Sequence, residues 1–340
     1  MNCLLRILPS SLLLLTLALP AAAATTLKIA TAAPEGSSWM TAMRAGATEI
    51  KERSAGRVQI KFFAGGVMGN DKSVLRKIRV GQLHGGAFTS GSLDEVTPDA
   101  NLFSLPLIFH NYSEVDYVRQ RMDVDVKSAL EQGGFACFGF AEGGFALLMA
   151  AEPGLTVAEV RGRKIWIPEG DTVSYRAMES LGLSPVTLPI TDVMTGLQAG
   201  LVEVIAASPI GALAFQWHTR IRYVSTTPLS YLYGTLVIDR RIFDKLDAAD
   251  QQLVREVMER IYVTLDHANR KDNQAAMEAM AKQGIQFVDS PPQEVVIWRK
   301  TAADLITVLR GEGAFTPALY DRMQVLLTEQ RARNKTAAVP

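Results

Sequence analysis

Few residues in this 340-residue chain stand at spacings that catalysis uses. The four histidines are His84, His110, His218 and His267. None falls in an H-x-x-x-H pair, and no C-x-x-C occurs, so no zinc signature is present. A hydrolase serine would sit in a G-x-S-x-G elbow. The run nearest in flavour, Thr89-Ser90-Gly91-Ser92, lacks that pattern. Glycine pairs stand at Gly65-Gly66, Gly85-Gly86 and Gly143-Gly144, but without a Walker loop or a G-x-G-x-x-G fingerprint. No carboxylate cluster argues for a metal. These patterns argue against an enzyme, a cofactor and a metal site. What remains is the chemistry of holding a ligand. Trp166 ends the strand-like run of GRKIWIPEG, and open α/β lobes hold ligands at the carboxyl ends of strands. Glu169, in the next turn, can accept hydrogen bonds from hydroxyls or pair with an amine. It can also be a plain solvated turn residue.

The elements around these residues read as α/β. Leu27 to Thr31 alternates like a strand, and Ser37 or Ser38 can cap a helix carrying Met40, Met43, Ala47 and Ile50 on one face. Val58 to Phe63 is a strand. Asn70 or Asp71 caps a helix with Val74, Leu75 and Ile78, and Leu83 to Phe88 is another strand. This βαβαβ order predicts a parallel sheet with right-handed crossovers. Phe135 to Ala141 and Phe145 to Ala151 are strand-like runs broken at Gly143-Gly144, a crossing point between lobes. Residues 162–209 then lay out a second βαβαβ unit. Asp250 to Gly284 reads as one long helix with Leu253, Val257, Ile261, Leu265 and Ala268 on one face. Helices near 292–310 and 316–331 precede a polar tail.

The ends and the composition narrow the class. Arg6, the apolar run Ser11 to Leu19 and Ala22-Ala23-Ala24 read as a cleaved secretory signal peptide, too short to span a bilayer. That predicts export to the periplasm. Lys and Arg total 35 against 35 Asp and Glu, so no basic face for nucleic acid is expected. Cys137, alone after the signal and within the apolar FACFGF, is expected as a buried structural thiol.

Several runs also carry a family resemblance. They are VMGND at Val67 to Asp71, SLPLIF at Ser104 to Phe109, GRKIWIPEG at Gly162 to Gly170, TDVMTGLQAGLVE at Thr191 to Glu203, and QWHTRIRYV. In this order, over some 300 residues, the chain resembles the DctP-like solute-binding proteins of tripartite ATP-independent periplasmic (TRAP) transporters. The resemblance implies two α/β lobes braced by the long helix, with a small-molecule ligand in the cleft. It implies a monomer that performs no chemistry and docks on a permease of small and large membrane subunits. A sensory receptor feeding a membrane signalling protein would share the fold. The implied limits are a signal peptide at 1–24, lobe I at 25–143 plus 232–272, lobe II at 144–231 plus 273–331, and a tail at 332–340.

By the same resemblance the ligand-binding positions are Thr31, Asn70, Phe88, Thr89, Ala146, Trp166, Ile190 and Ala207; Glu169 in the turn after Trp166 is a further candidate, and Tyr231 and Tyr233, before the return strand, either line the cleft or are ordinary half-buried aromatics. The family grips an organic acid with arginine, whose planar fork matches a carboxylate. Here three of its polar anchors are replaced by Trp166, Ala146 and Ala207, and Ile190 stands where an aromatic is common. Either the cleft takes a less anionic, larger or more aromatic ligand around Trp166, or Trp166 only packs and other donors hold an acid. Strand alternation makes Lys164 better placed than Arg163 as a substitute cation, but a solvated lysine at the rim is the favoured reading.

Overall fold

The computed structural model describes residues 24–337. Residues 1–23, within the expected signal peptide of 1–24, and residues 338–340 lie outside them. The first half of the chain forms β1 (Thr25–Thr31), α1 (Ser38–Arg53), β2 (Val58–Phe63), α2 (Asp71–Arg79), β3 (Gly85–Thr89) and α3 (Tyr112–Gln132). Next come β4 (Phe135–Cys137), β5 (Ala141–Ala150), α4 (Val157–Val160), β6 (Lys164–Pro168), α5 (Thr172–Ser180) and β7 (Ser184–Leu188). They are followed by α6 (Val193–Gln198), β8 (Val204–Ala207), α7 (Pro209–Ala214), β9 (Tyr223–Ser225), β10 (Ser230–Asp239) and α8 (Arg240–Phe243). The chain closes with α9 (Ala248–Lys282), β11 (Gln286–Val288), α10 (Pro292–Gly311) and α11 (Pro317–Ala337).

The strands join in the order β2-β1-β3-β10-β5-β8-β6-β7, with β4 on β10 and β9 between β5 and β11. Each end of the sheet is a parallel βαβ set: β1 with β2 and β3, and β6 with β7 and β8. The middle is antiparallel. Residues 141–146 of β5 pair with β10, whereas Leu147 to Ala150 pair with β8. One strand therefore serves both lobes. The two-lobe α/β architecture expected from the sequence is what forms.

The glycine pair does not break β5. The strand passes through Gly143 and Gly144, and the irregularity appears across from it, as a register shift between Leu232 and Tyr233. Gly144 has φ +90°, and a Cβ there would stand 2.6 Å from Asn273 Nδ2. Only glycine lets α9 come this close to the strand. From α9, Asn269 donates to Glu142 O (2.6 Å) and Asn273 to Gly143 O (3.1 Å).

At 35 residues α9 reaches about 52 Å. Leu253, Val257 and Leu265 are buried with Val254, Met258 and Tyr262, but Ala268 is exposed. At Asn269 and Asn273 the inward face is polar, because it there meets strand carbonyls, and it becomes apolar again at Ala276 and Met280. Residues 273–331 are expected with the second lobe, and α10 does pack on α5. In contrast, α11 lies along α3: Arg331 pairs with Glu114 (2.9 Å), Arg322 with Asp125 (2.7 Å), and Tyr117 donates to Glu329 (2.7 Å). These contacts explain why α11 continues through Ala337, past the boundary where a polar tail is expected. Cys137 is fully buried, its Sγ 3.3 Å from Thr235 Oγ1.

Candidate functional site

Three helices begin at the gap between the lobes. Ser37 caps α1, Asn70 caps α2 by accepting from Ser73 N (2.9 Å), and Asp171 caps α5 by accepting from Ser174 N (2.9 Å). The carboxyl ends of β1, β3, β6 and β8 lie there too, as the topology of open α/β lobes requires. Between them lies a cavity of about 620 Å³.

The cavity wall is apolar and hydroxyl-rich. Trp39, Phe88, Trp166, Phe215, Trp217 and Tyr233 supply rings, and Thr31, Thr89, Ser90, Ser104 and Ser208 supply hydroxyls. Its charged members are Asp71, Glu142, Glu169 and Asp171. No lysine, arginine or histidine is among the lining residues. Glu142 is 1% exposed and neutralised by Arg270 at 2.6 Å. Burial raises the carboxyl pKa of Asp71 against the lowering pull of the Ser92 hydroxyl, and it raises that of Asp171 against the Ser174 hydrogen bonds.

Trp166 does two things. It is 3% exposed, and its indole donates to Leu188 O on β7 (2.9 Å). Its ring meets Trp217 edge-on (5.1 Å, 66°), and Trp217 in turn stacks on Phe215 (5.0 Å, 17°). Trp166 thus packs within the second lobe and still presents part of its surface to the cavity. It lies two residues before the end of β6 rather than at its end.

The lobes touch at the cavity mouth. The Asn70 amide donates to Glu169, and Thr172 Oγ1 donates to Asp94 (3.2 Å). A Cβ on Gly91 would fall 2.5 Å from Asp171 Oδ2, and one on Gly66 would fall 2.6 Å from Thr191 Cγ2. The structure is therefore a closed arrangement of the lobes.

All the residues expected at the cleft from the sequence line this cavity except Tyr231. Tyr231 is a correction. It is fully buried, accepts from Arg119 (2.8 Å) and donates to Glu142 (3.4 Å), because a buried guanidinium on α3 needs a partner there. Tyr233 meets the cavity with its body, while its hydroxyl donates to Ala100 O (2.5 Å). Lys164 takes the solvated reading. It is exposed at the far end of β6, where its amine reaches Gly200 O (3.5 Å), so two residues of rise carry it out of the cleft. Arg163 is likewise outside, held by Gly154 O (2.9 Å). The sequence reading left out Asp71, Asp171, Phe215 and Trp217. The first two carried a signal, since each opens a helix just past a strand end. The two rings lie after α7, and although Trp217 stands in the QWHTRIRYV run, nothing in that run marked either ring as facing the cleft.

Comparison with known proteins places this geometry. The family model described as bacterial extracellular solute-binding protein, family 7 (DctP), matches residues 29–309. The chain belongs to this family. Among its relatives, the 2,3-diketo-L-gulonate-binding periplasmic protein of Escherichia coli is 22% identical over 245 residues, 70% of this DctP-family chain and 73% of that one. An uncharacterised Salmonella typhimurium protein is 23% identical over 210 residues, 61% of this chain and 64% of that one. The sugar acid binding protein of Advenella mimigardefordensis, solved with galactonate, superposes with TM-score 0.83 at 15% identity, over 91% of this chain and 99% of that one. A TRAP periplasmic solute-binding protein of Xanthobacter autotrophicus, solved with β-D-galacturonate, gives 0.81 at 19% identity, over 89% and 99%. A Bordetella pertussis receptor binding pyroglutamic acid gives 0.81 at 16%, over 90% and 100%. At these identities the structures establish the fold of this DctP-family chain, and the match to the family model establishes its membership.

Proposed function

We propose that this chain is an exported TRAP-type receptor that captures a small organic solute between its lobes and hands it to a membrane permease of small and large subunits. It acts by binding and performs no chemistry on the solute. One observation carries the reading of its specificity: the cavity wall holds no cationic side chain. A carboxylate moved from water into such a wall gains no counterion, and burying it unpaired is costly. The solute is therefore less anionic than the sugar acids and pyroglutamate of the solved relatives, with apolar or aromatic surface against Trp166.

A second reading has one observation in its favour. The N-terminus of α1 opens on the cleft with no acidic residue in its first turn, so its free N–H groups could hold an organic acid. Native mass spectrometry of protein purified from the periplasm separates the two. We expect a co-purified molecule without net negative charge, bound one to one and recovered unaltered. Recovery of a carboxylate that rebinds to stripped protein would refute the first reading in favour of the second, and turnover of the molecule would sink both.

A further inference from the structure

We propose that the cleft selects a small organic cation, an amine, amidine or quaternary ammonium, whose charge meets Asp71, Glu169 and Asp171 while its body lies against Trp166, Phe215 and Trp217. This rests on the receptor reading and narrows it. The argument starts from an imbalance within the cavity wall. Glu142 is answered by Arg270. The other three carboxylates make no ion pair among the described residues; what they have are neutral donors. Asp71 comes from the first lobe, where it meets the Ser92 hydroxyl. Asp171 comes from the second lobe and lies against Gly91. The two aspartates thus meet one turn, Ser90–Ser92, from α2 and from the start of α5. Glu169 is two residues from Asp171 and reaches back across the mouth to the Asn70 amide. All three charges border the same enclosed space.

Helix ends offset part of this charge. Asp71 and Asp171 stand at the starts of α2 and α5, each of which presents about +0.5 of an elementary charge. With α1, which also begins at the gap, the three ends answer about one and a half of the three charges, and the rest stays negative. Burial holds both aspartate carboxyls above their usual range, as expected of acids without a counterion. The aromatic wall favours the same ligand class. Ring faces attract cations, and Trp217, stacked on Phe215 and crossed by Trp166, forms a corner of three such rings. A neutral solute would fill the space and leave the carboxylates unanswered. An anion would meet like charge.

The test uses the mature chain, stripped of co-purified ligand by unfolding and refolding. Its thermal stability is measured against matched small molecules: benzylamine, benzamidine, benzyltrimethylammonium and choline, with benzyl alcohol, benzoate and galacturonate as the neutral and anionic members. The expected result is stabilisation by at least one cation beyond every other member. For that cation, calorimetric affinity should fall about tenfold in Glu169→Gln and again in Asp71→Asn, since each removes a charge-assisted contact. The circular dichroism spectrum of each variant guards against misfolding. If no cation exceeds its matched alcohol, or both variants bind as wild type, the cation proposal is overturned. A neutral member that wins leaves the receptor reading standing; an acid that wins removes the reading of specificity with it.

Discussion

Replacing Arg119 with methionine should lower folding stability by about 3–5 kcal/mol, the usual result of removing one partner from a buried charge network. Arg119 is 7% exposed on α3. It holds Asp123 on its own helix (2.9 Å), Asp266 on α9 (2.7 Å), the Tyr231 hydroxyl on β10 (2.8 Å) and Phe140 O ahead of β5 (3.3 Å). Asp266 also accepts from Glu142 N at 2.8 Å. Methionine keeps most of the bulk, so what is lost is charge. Asp123, already raised in pKa by burial, would lose the guanidinium that lowers it. Chemical denaturation at neutral pH reads the change. A loss under about 1 kcal/mol would mean that water replaces the guanidinium and that the network is not what ties α3 to the crossing strands.

Trp166→Ala should cost about 3–5 kcal/mol of stability, as truncation of a buried tryptophan usually does. It also removes the hydrogen bond to Leu188 O and the ring edge against Trp217. Because that loss alone would weaken any ligand, Trp166→Phe is the informative companion. Phenylalanine keeps an aromatic face and gives up the indole N–H. Ligand affinity in Trp166→Phe should stay within about tenfold of wild type, while Trp166→Ala should lose about 1–3 kcal/mol of binding beyond it. Calorimetry on the two folded variants distinguishes them. Equal affinity in both would assign Trp166 to packing alone.

Strand and helix periods made the lobes legible. The apolar rows of α1 and α9, the cap at Asn70 and the second βαβαβ unit all follow from local pattern. Local pattern also explains the failures. Tyr231 and Tyr233 alternate as cleft residues should, but a register shift between Leu232 and Tyr233 and the pull of Arg119, 112 positions away, decide what Tyr231 faces. Lys164 shares a strand with Trp166, yet only the topology shows which end of the strand opens on the cleft. The acidity of the site was hidden for a similar reason. Asp71 read alone is a candidate helix cap, and only folding sets it and Asp171 around one space with no cation among its lining residues.

Closure at the mouth has a covalent corollary. A Cβ on Gly66 would stand 3.8 Å from Thr191 Cβ across the seam, which is about the mean spacing of the two Cβ atoms of a disulfide. Gly66→Cys with Thr191→Cys would therefore place two thiols at bridging distance only while the lobes are shut. The strain of a side chain at φ +71° is of order 1–3 kcal/mol, less than the roughly 5 kcal/mol that closing so long a loop returns on the chain-entropy relation. Cys137 is buried and would not compete. The access of solute to this receptor would then depend on redox state, with the cargo caged under oxidation and freed by a reductant.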